Sequence, residues 1–463
     1  MEKTEKVTME KIQSLAKQRG FIYPSSEIYG GFANTWDFGP LGIELKNNIK
    51  KLWWQHFVQE RMDMVGLDSA IILNPKVWEA SGHVGGFADA LVDCLNCKLR
   101  FRADHLVEDT TGEDVEGKSL EEISRIIQKD KIACPNCKSI NWTDARSFGL
   151  MFKTYIGVVE DTKSAAYLRP ETAQGIFVNF KNVLASTRKR IPFGIGQIGK
   201  AFRNEVTPGN FVFRTREFEQ MEIEYFINPK DWEKSFEFWL KEMQRFAKAI
   251  GLKDEDIYLH EIPAEKRAHY SKRTIDVEFK YPFGTKELWG LAYRTDYDLS
   301  HHEKASGEDI VYVDPVTNQK FIPHVIEPTF GVERTMLVAL LSAYEEEEIG
   351  SGDKIEIRTV LKLPKELAPY KIAILPLSKN EDLISKAKEV FDLLKTSYMC
   401  DYDETQSIGK RYRRQDEIGT PYCVTIDFNT LKDNAVTVRD RDTMKQDRVG
   451  IGSLKEYLGE KFC

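Results

Sequence analysis

Apolar residues recur through residues 195–202 and alternate with polar ones from Met221 to Tyr225, with the turn-forming stretch Thr207-Pro208-Gly209-Asn210 between the two runs. A period of two on either side of a turn predicts a long antiparallel hairpin over residues 192–226. Elsewhere the period lengthens to that of a helix. Ile12, Leu15 and Ala16 predict a helix over 9–17 that Gly20 stops, and Leu45, Ile49, Leu52, Trp53 and Phe57 predict an amphipathic one over 44–59. Trp232, Phe236, Trp239, Met243, Phe246 and Ile250 mark a longer helix that starts after Asn228-Pro229 and ends at Gly251, and its aromatics read as core. Strand-like runs at 276–279, 287–291 and 309–314 predict further members of one antiparallel sheet. Beyond a proline-marked linker at 364–369, strand-like runs at 371–375, 398–401 and 422–428 and a helical pattern at 381–394 predict a small α/β domain with a mixed sheet.

The mouth of the hairpin is dense in opposed charges. Arg203, Asn204 and Glu205 close the first arm, and Arg214, Arg216, Glu217, Glu219 and Glu222 follow the turn. Ion pairs on an exposed strand edge account for such charges as readily as a binding site does. Gly194, Gly196 and Gly199 match the dinucleotide-binding fingerprint, but that fingerprint follows a strand and opens a helix. Here it lies inside strand-like sequence, so the match is discarded.

Phe202-Arg203-Asn204-Glu205 followed by Arg216-Glu217-Phe218 resembles motif 2 of the class II aminoacyl-tRNA synthetases, and Gly331-Val332-Glu333-Arg334 opening the run TMLVALL resembles their motif 3. LRPETAQG at 168–175, FRTREFEQME at 213–222 and SIGKRYRRQDEIGTPYCVT at 407–425 are similar to the homodimeric glycyl-tRNA synthetases, a resemblance that runs over nearly the whole chain. It implies an α+β fold: a class II catalytic domain over 1–363, built on an antiparallel sheet flanked by helices, then an α/β anticodon-binding domain over 364–463. A zinc-knuckle insertion over about 94–145 and a helical insertion over about 229–270 interrupt the first.

The implied reaction is ATP-dependent activation of glycine and its transfer to tRNA(Gly). Arg203, Glu205 and Arg334 are the implied catalytic residues, with Arg203 on the α-phosphate, Phe218 stacked on adenine, and Arg214 and Arg334 on the polyphosphate. Asn204, Glu205, Phe213, Thr215, Arg216, Glu217, Glu287, Leu288, Gly331, Val332 and Glu333 complete the ATP site, the acids through Mg²⁺ or polar groups of ATP. Around glycine the resemblance implies Glu171, Glu222 and Glu327 on the ammonium, with Arg102, Phe218, Glu219, Gln220, Met221, Arg294, Pro328, Thr329, Phe330 and Gly331 nearby. The family usually carries serine at the position of Thr329 and often aspartate at that of Glu333, so hydroxyl and charge persist while the pocket dimensions change. The helix over 44–59 and a strand at 69–75 ending in Pro75 correspond to motif 1, the isologous interface of a homodimer. Two other classes share part of this pattern: a class IIa synthetase for another amino acid, and a non-catalytic synthetase-like subunit that binds nucleic acid. The intact Arg203, Glu205, Arg214 and Arg334 argue against the latter.

Three features carry a rival structural reading. Cys94-x-x-Cys97 and Cys134-x-x-Cys137 have the spacing of zinc knuckles, and four thiolates make a closed tetrahedral Zn²⁺ site that is structural rather than catalytic. Disulfides or unrelated buried cysteines are the alternatives. The long intervening loop carries a helix of its own over 120–127, by Ile123 and Ile127. Glu171 and Thr172 follow Pro170 at a predicted helix start, where an acid in the first turn is ordinary helix-end chemistry. Lys410, Arg411, Arg413 and Arg414 form a basic patch that suits tRNA, or equally a solvated helix face.

The 463 residues accommodate about three domains, and their hydrophobic fraction of 41% is enough for full cores. A net charge of −7 requires any nucleic-acid contact to come from local patches. The first 20 residues are charged and lack an apolar signal region, and no apolar run approaches the length of a membrane span. A cytoplasmic protein is expected, with no membrane partner. There is no tandem repeat or low-complexity segment.

Overall fold

In the computed structural model the described residues are 7–462 without 116, 162, 163, 207, 208, 352 and 353. Helix α1 (Met9–Arg19) starts where Thr8 Oγ1 accepts the Lys11 N–H and stops at Gly20, whose φ of 79° suits a residue without a Cβ. Helix α2 (Pro40–Trp54) begins ahead of the predicted 44, because Gly39 serves as N-cap and Pro40 fills the first helical position; a π-turn carries it on through Gln55–Gln59. Leu41, Leu45, Ile49 and Trp53, four residues apart, turn one stripe into the core.

The central framework is a seven-stranded sheet. Its strands are β1 (Met64–Gly66), β2 (Phe193–Phe202), β3 (Glu217–Ile227), β4 (Ile257–Glu261), β5 (Arg273–Tyr281), β6 (Gly284–Thr295) and β7 (His324–Gly331), in the order β4-β5-β6-β7-β3-β2-β1. All neighbours are antiparallel except β1 and β2. The β2–β3 pairing runs from Phe202 opposite Glu217 to Phe193 opposite Phe226, which is the predicted hairpin. Of its turn, Thr207 and Pro208 lie outside the described residues. The glycines of the discarded fingerprint all lie in β2 and are there for close packing: a Cβ on Gly199 would sit 2.1 Å from Arg169 Nη2, and one on Gly196 2.9 Å from a Val58 methyl.

One face of the sheet is covered by α1, α2, α3 (Trp232–Ala249) and α4 (Val332–Ala343), in a core where Phe330 meets Trp53, Phe57, Phe246 and Trp289. Each fully buried side chain of this kind contributes about 1.5–3 kcal/mol. Toward the other face, Phe177 and Phe180 pack on Phe193, Ile195 and Phe226. The segment 229–270 is only partly helical: after α3 it supplies β4, the edge strand of the sheet.

Two strand expectations are corrected. Residues 69–75 form no strand; Ile72 makes a single bridge to Leu168, and Pro75 opens a short helix, Pro75–Ala80, whose start is capped by the Asn74 side chain. Helix-start chemistry prevails there, and the strand against β2 lies earlier, at β1. Within 309–314 only Tyr312–Val313 is extended, and it pairs with Lys320–Phe321 in a separate small hairpin.

The cysteine-bearing insertion has a three-stranded sheet, Arg100–Arg102, Ala88–Asp93 and Arg146–Gly149, and a helix Leu120–Lys129 started by a Ser119–Glu122 capping box. Hairpin β8 (Tyr344–Ser351) and β9 (Lys354–Leu361) leads to the C-terminal unit. There β10 (Ile372–Pro376), α5 (Glu381–Leu394), β11 (Cys400–Tyr402), α6 (Ile408–Ile418), β12 (Tyr422–Ile426), β13 (Ala435–Asp440) and β14 (Gln446–Gly450) build a sheet of order β11-β10-β12-β13-β14 around a second core. The first three strands are parallel and the last two antiparallel additions, a mixed sheet as expected. The two units meet at a buried ion cluster in which Asp416 on α6 accepts from Arg358 of β9 and from Arg439, both at 2.8 Å. Among the described residues no helix is long and apolar enough to cross a membrane.

Candidate active site

Strand alternation decides which residues can act. Along β3, Met221, Ile223 and Tyr225 enter the core shared with α2 and α3. Gln220 and Glu222 point the opposite way, and Phe218 with them, into a cleft. On β7, Ile326 and Phe330 are core while Glu327 and Thr329 line the cleft. Gly331 is the N-cap of α4, which places Arg334 in its first turn.

The cleft has two lobes. The first holds about 690 Å³ of empty space and is lined by Arg203, Glu205, Phe213, Arg214, Phe218 and Arg334, with Thr215, Glu287, Leu288 and Glu333 also on its wall. Arg203 is held by donating from Nε to the Pro170 carbonyl at 3.0 Å, with its guanidinium 5.4 Å from the ring centroids of both Phe218 and Phe87. Arg334 donates to the Phe213 carbonyl at 3.2 Å and pairs with Glu287 at 3.0 Å. That arginine, ahead of the cost of burial, holds the Glu287 carboxyl below its usual range. Three arginines converging on one lobe suit a polyanion.

The second lobe opens from the first, and Arg203, Gln220, Glu287 and Thr329 line both. Its polar wall is acidic: Glu171, Glu222 and Glu327 are all buried. Glu171 accepts from Gln174 Nε2 at 3.1 Å and faces His83 Nε2 at 3.3 Å; burial pushes its carboxyl up, but His83 and Arg294 hold it well below the usual range. Glu222 accepts from the hydroxyls of Thr172 and Thr329. Burial, then the charge of Glu171, pushes Glu222 up. Glu327 is tied to Arg294 at 2.8 Å, and Arg294 is clamped by Asp298 at 2.8 and 2.9 Å. Such a wall is complementary to a small ammonium.

Several expected residues stand elsewhere. Glu219 lies on the opposite side of β3, where its carboxylate meets Lys46 at 2.6 Å and Lys50 at 3.1 Å on α2. Its backbone N–H donates to Glu333 Oε2 at 2.8 Å, and Glu333 Oε1 takes Lys46 at 2.7 Å, so this buried set ties α2, β3 and α4 together behind the cleft. Met221 and Phe330 are core residues and Pro328 is buried opposite Leu291 of β6, turned from the cleft by strand alternation, while Val332 is buried in the first turn of α4. Arg216 turns outward to the Ala33 carbonyl, and Glu217 to Lys200. Asn204 contributes a backbone N–H to the Leu150 carbonyl at 2.7 Å. Arg102 pairs with Asp104 and Asp89, and Arg294 is 1% exposed beneath the acids it braces; neither lines a lobe. Glu171 precedes its helix, Ala173–Phe177, rather than capping it.

His83, Asp298 and Tyr270, whose ring lies 3.8 Å from the Arg294 guanidinium, carry no sequence signal and reach the site only through folding. Gln174, by contrast, stood within the LRPETAQG stretch.

On α6 the basic patch divides. Arg411 is 1% exposed and donates to the carbonyls of Pro376, Asp403 and Leu377, so it is a strut and not a surface contact; buried carbonyls need those donors. Arg414 pairs with Asp403, and Arg413 lies 3.7 Å from Glu356 and 3.8 Å from Asp416. Lys410 is exposed.

The four cysteines converge. Cys94 and Cys137 sulfurs are 3.5 Å apart, Cys97 and Cys134 sulfurs 3.7 Å, and all four lie within 4.8 Å of one another. Zinc–sulfur bonds of about 2.3 Å in a tetrahedron require sulfurs roughly 3.8 Å apart. Both knuckles have the same backbone: Lys98 N–H to the Cys94 carbonyl and Lys138 N–H to the Cys134 carbonyl at 2.9 Å, with Lys98 and Lys138 both at positive φ. The cluster fits a metal.

An antiparallel sheet with motifs 2 and 3 around one cleft, followed by a mixed-sheet C-terminal domain, defines a class II aminoacyl-tRNA synthetase. The tRNA synthetase class II core domain (G, H, P, S and T) matches residues 153–343, and the anticodon binding domain matches 371–461. Two solved prolyl-tRNA synthetases share the fold at 14% identity: that of Cryptosporidium parvum, with a TM-score of 0.62 over 98% of this chain and 77% of its own, and that of Giardia lamblia, with 0.65 over 97% and 76%. Sequence similarity is more specific. The glycine–tRNA ligase of Ruminiclostridium cellulolyticum is 57% identical over 461 residues, 98% of both chains, and that of Clostridium perfringens is 57% identical over 458 residues, 97% of this chain and 98% of its own. The chain belongs to the glycine–tRNA ligase family.

Proposed function

We propose that this chain activates glycine with ATP and transfers it to tRNA(Gly). One observation carries the reading: a lobe lined by three arginines opens onto a lobe walled by Glu171, Glu222 and Glu327, and Arg203 stands on the boundary. The glycine carboxylate attacks the α-phosphorus, pyrophosphate leaves, and a terminal ribose hydroxyl of the tRNA then displaces AMP. A carboxylate needs no base to become a nucleophile, so alignment and charge stabilisation are what the protein supplies. Arg203 takes the α-phosphate, Phe218 stacks on adenine, and Arg214 and Arg334 take the outer phosphates. Glu205 and Glu287 would hold Mg²⁺, which when bound would offset phosphate charge.

Glu171, Glu222 and Glu327 take the ammonium, and the walls around Thr329 exclude larger side chains sterically, so no editing domain is needed. Cys94, Cys97, Cys134 and Cys137 hold a structural Zn²⁺. The enzyme works in the cytoplasm as an isologous dimer through the α2 region. The unit over 1–363 is catalytic and that over 364–463 reads the anticodon, with Lys410, Arg413 and Arg414 as its phosphate contacts. Exchange of labelled pyrophosphate into ATP tests the reading. It is expected with glycine and absent with proline, serine, threonine and histidine; exchange driven by one of those instead would refute it.

A further inference from the structure

Beneath the acid wall lies a fourth glutamate that the reaction does not use. Glu224 follows Glu222 by two on β3, hence on the same face. The register that sets Glu222 opposite Thr329 and Tyr225 opposite Ile326 puts Glu224 across from Glu327 on β7. On its other flank, on β2, stands Ile195, and Phe226 follows it into the apolar cluster with Phe177 and Phe180. Glu224 is 0% exposed, and neither of its carboxyl oxygens has a hydrogen-bond partner among the described residues. A carboxyl oxygen from each of Glu222, Glu224 and Glu327 lies within 4.8 Å of the other two. The charged groups facing it are Glu222 on β3, Glu327 on β7, Arg294 on β6 and Asp298 on the helix Tyr297–Ser306.

Three carboxylates at that separation, all buried, do not all ionise. The surroundings say where the proton resides. Glu222 accepts two threonine hydroxyls and Glu327 accepts Arg294, bonds that favour the ionised form, although burial still pushes Glu327 up to about 8; Glu224 accepts no such bond, and the one cation facing it, Arg294, is engaged by Asp298 and Glu327. We propose, resting on the glycine reading above, that Glu224 is a positioning residue: a neutral carboxylic acid under the pocket floor. Its single O–H is available to one of the two neighbouring carboxylates, Glu222 or Glu327, and its neutrality spares that pair a third charge while they take the substrate ammonium. Burial first, and Glu327 next, push its carboxyl well above the usual range. A proton so held leaves as pH rises, and the third charge then drives the pair apart.

The test compares wild type with Glu224→Gln and Glu224→Ala in glycine-dependent pyrophosphate exchange across pH. Glutamine keeps shape, neutrality and a donor. E224Q is therefore expected to stay within about threefold of wild type in KM for glycine, and to lack the part of the wild-type alkaline rise in KM that Glu224 causes. E224A should raise that KM about tenfold or more, the loss typical of a hydrogen bond to a charged group, while KM for ATP stays unchanged. Equal impairment in both variants would mean that charge is required and would overturn the proposal, as would an E224A enzyme with normal glycine KM. A readout free of activity is the infrared difference between wild type and E224Q at neutral pH. Loss of a protonated-carboxyl band supports the proposal, and loss of ionised carboxylate bands alone refutes it, whichever amino acid the enzyme activates.

Discussion

Replacing Arg203 by alanine separates catalysis from structure at one side chain. Among the described residues its side chain has few structural attachments: one hydrogen bond from Nε to the Pro170 carbonyl and two guanidinium–ring contacts, with Phe87 and Phe218 at 5.4 Å. At about 1 kcal/mol for the bond and about 0.5–1 kcal/mol for each ring contact, the folded state loses roughly 2–3 kcal/mol. The reaction loses more in effect. A preorganised donor aimed at charge that develops in the transition state contributes about 2.7–4 kcal/mol, or roughly 10²–10³ in kcat. Glycine-dependent pyrophosphate exchange, measured well below the onset of thermal unfolding, should therefore fall by that factor while the unfolding transition moves only a few degrees. Arg203→Lys keeps the charge but cannot hold the Pro170 carbonyl and reach the phosphate together, so an intermediate loss is expected. Near-normal exchange in a folded Arg203→Ala enzyme would show that the arginine is a strut of the hairpin mouth.

Lys46→Met removes the cation between Glu219 and Glu333, both at most 15% exposed, and leaves two carboxylates short of a partner. Stability should fall by about 3 kcal/mol, the low end for breaking a buried pair, because Lys50 still reaches Glu219. Burial raises the Glu219 carboxyl, but Lys46 and Lys50 outweigh it and hold it below its usual range; a lowered folded value contributes stability above about pH 4.3 that is lost as pH falls further. Acid unfolding of the variant should accordingly be less steep below pH 4, and an unchanged acid limb would contradict the pairing. Metal analysis of protein purified without chelator should return one zinc per chain, and Cys97→Ser should lose it and lower the unfolding temperature; full metal content in that variant would exclude the four-sulfur site. In the C-terminal domain, Arg411→Ala should destabilise the fold because three carbonyls lose their donor. Lys410→Ala with Arg413→Ala should leave glycine-dependent exchange intact and lower the salt dependence of tRNA binding by about one for each phosphate no longer neutralised. An unaltered salt slope would return that helix face to ordinary solvation.

What the chain determined unaided is what depends on neighbours in sequence. Periods of two and of 3.6 marked the β2–β3 hairpin, α1, α3 and α5, because side-chain direction along a strand or helix follows from backbone geometry alone. The motif residues Arg203, Phe218, Glu222 and Arg334 were legible as a pattern, and the structure gathers them at one cleft. Tertiary structure decided the rest. Glu219 and Met221 belong to the same motif as Glu222, yet strand alternation and the position of α2 turn them away from the cleft. Arg411 stood among exposed-looking basic residues, and only the packing of α6 against the strand ends shows that backbone carbonyls consume it. His83, Asp298 and the floor glutamate Glu224 acquire meaning solely from distance: the charge, burial and hydrogen bonding of a group depend on what surrounds it in space. A linear sequence does not state which residues will stand within a few ångströms of which.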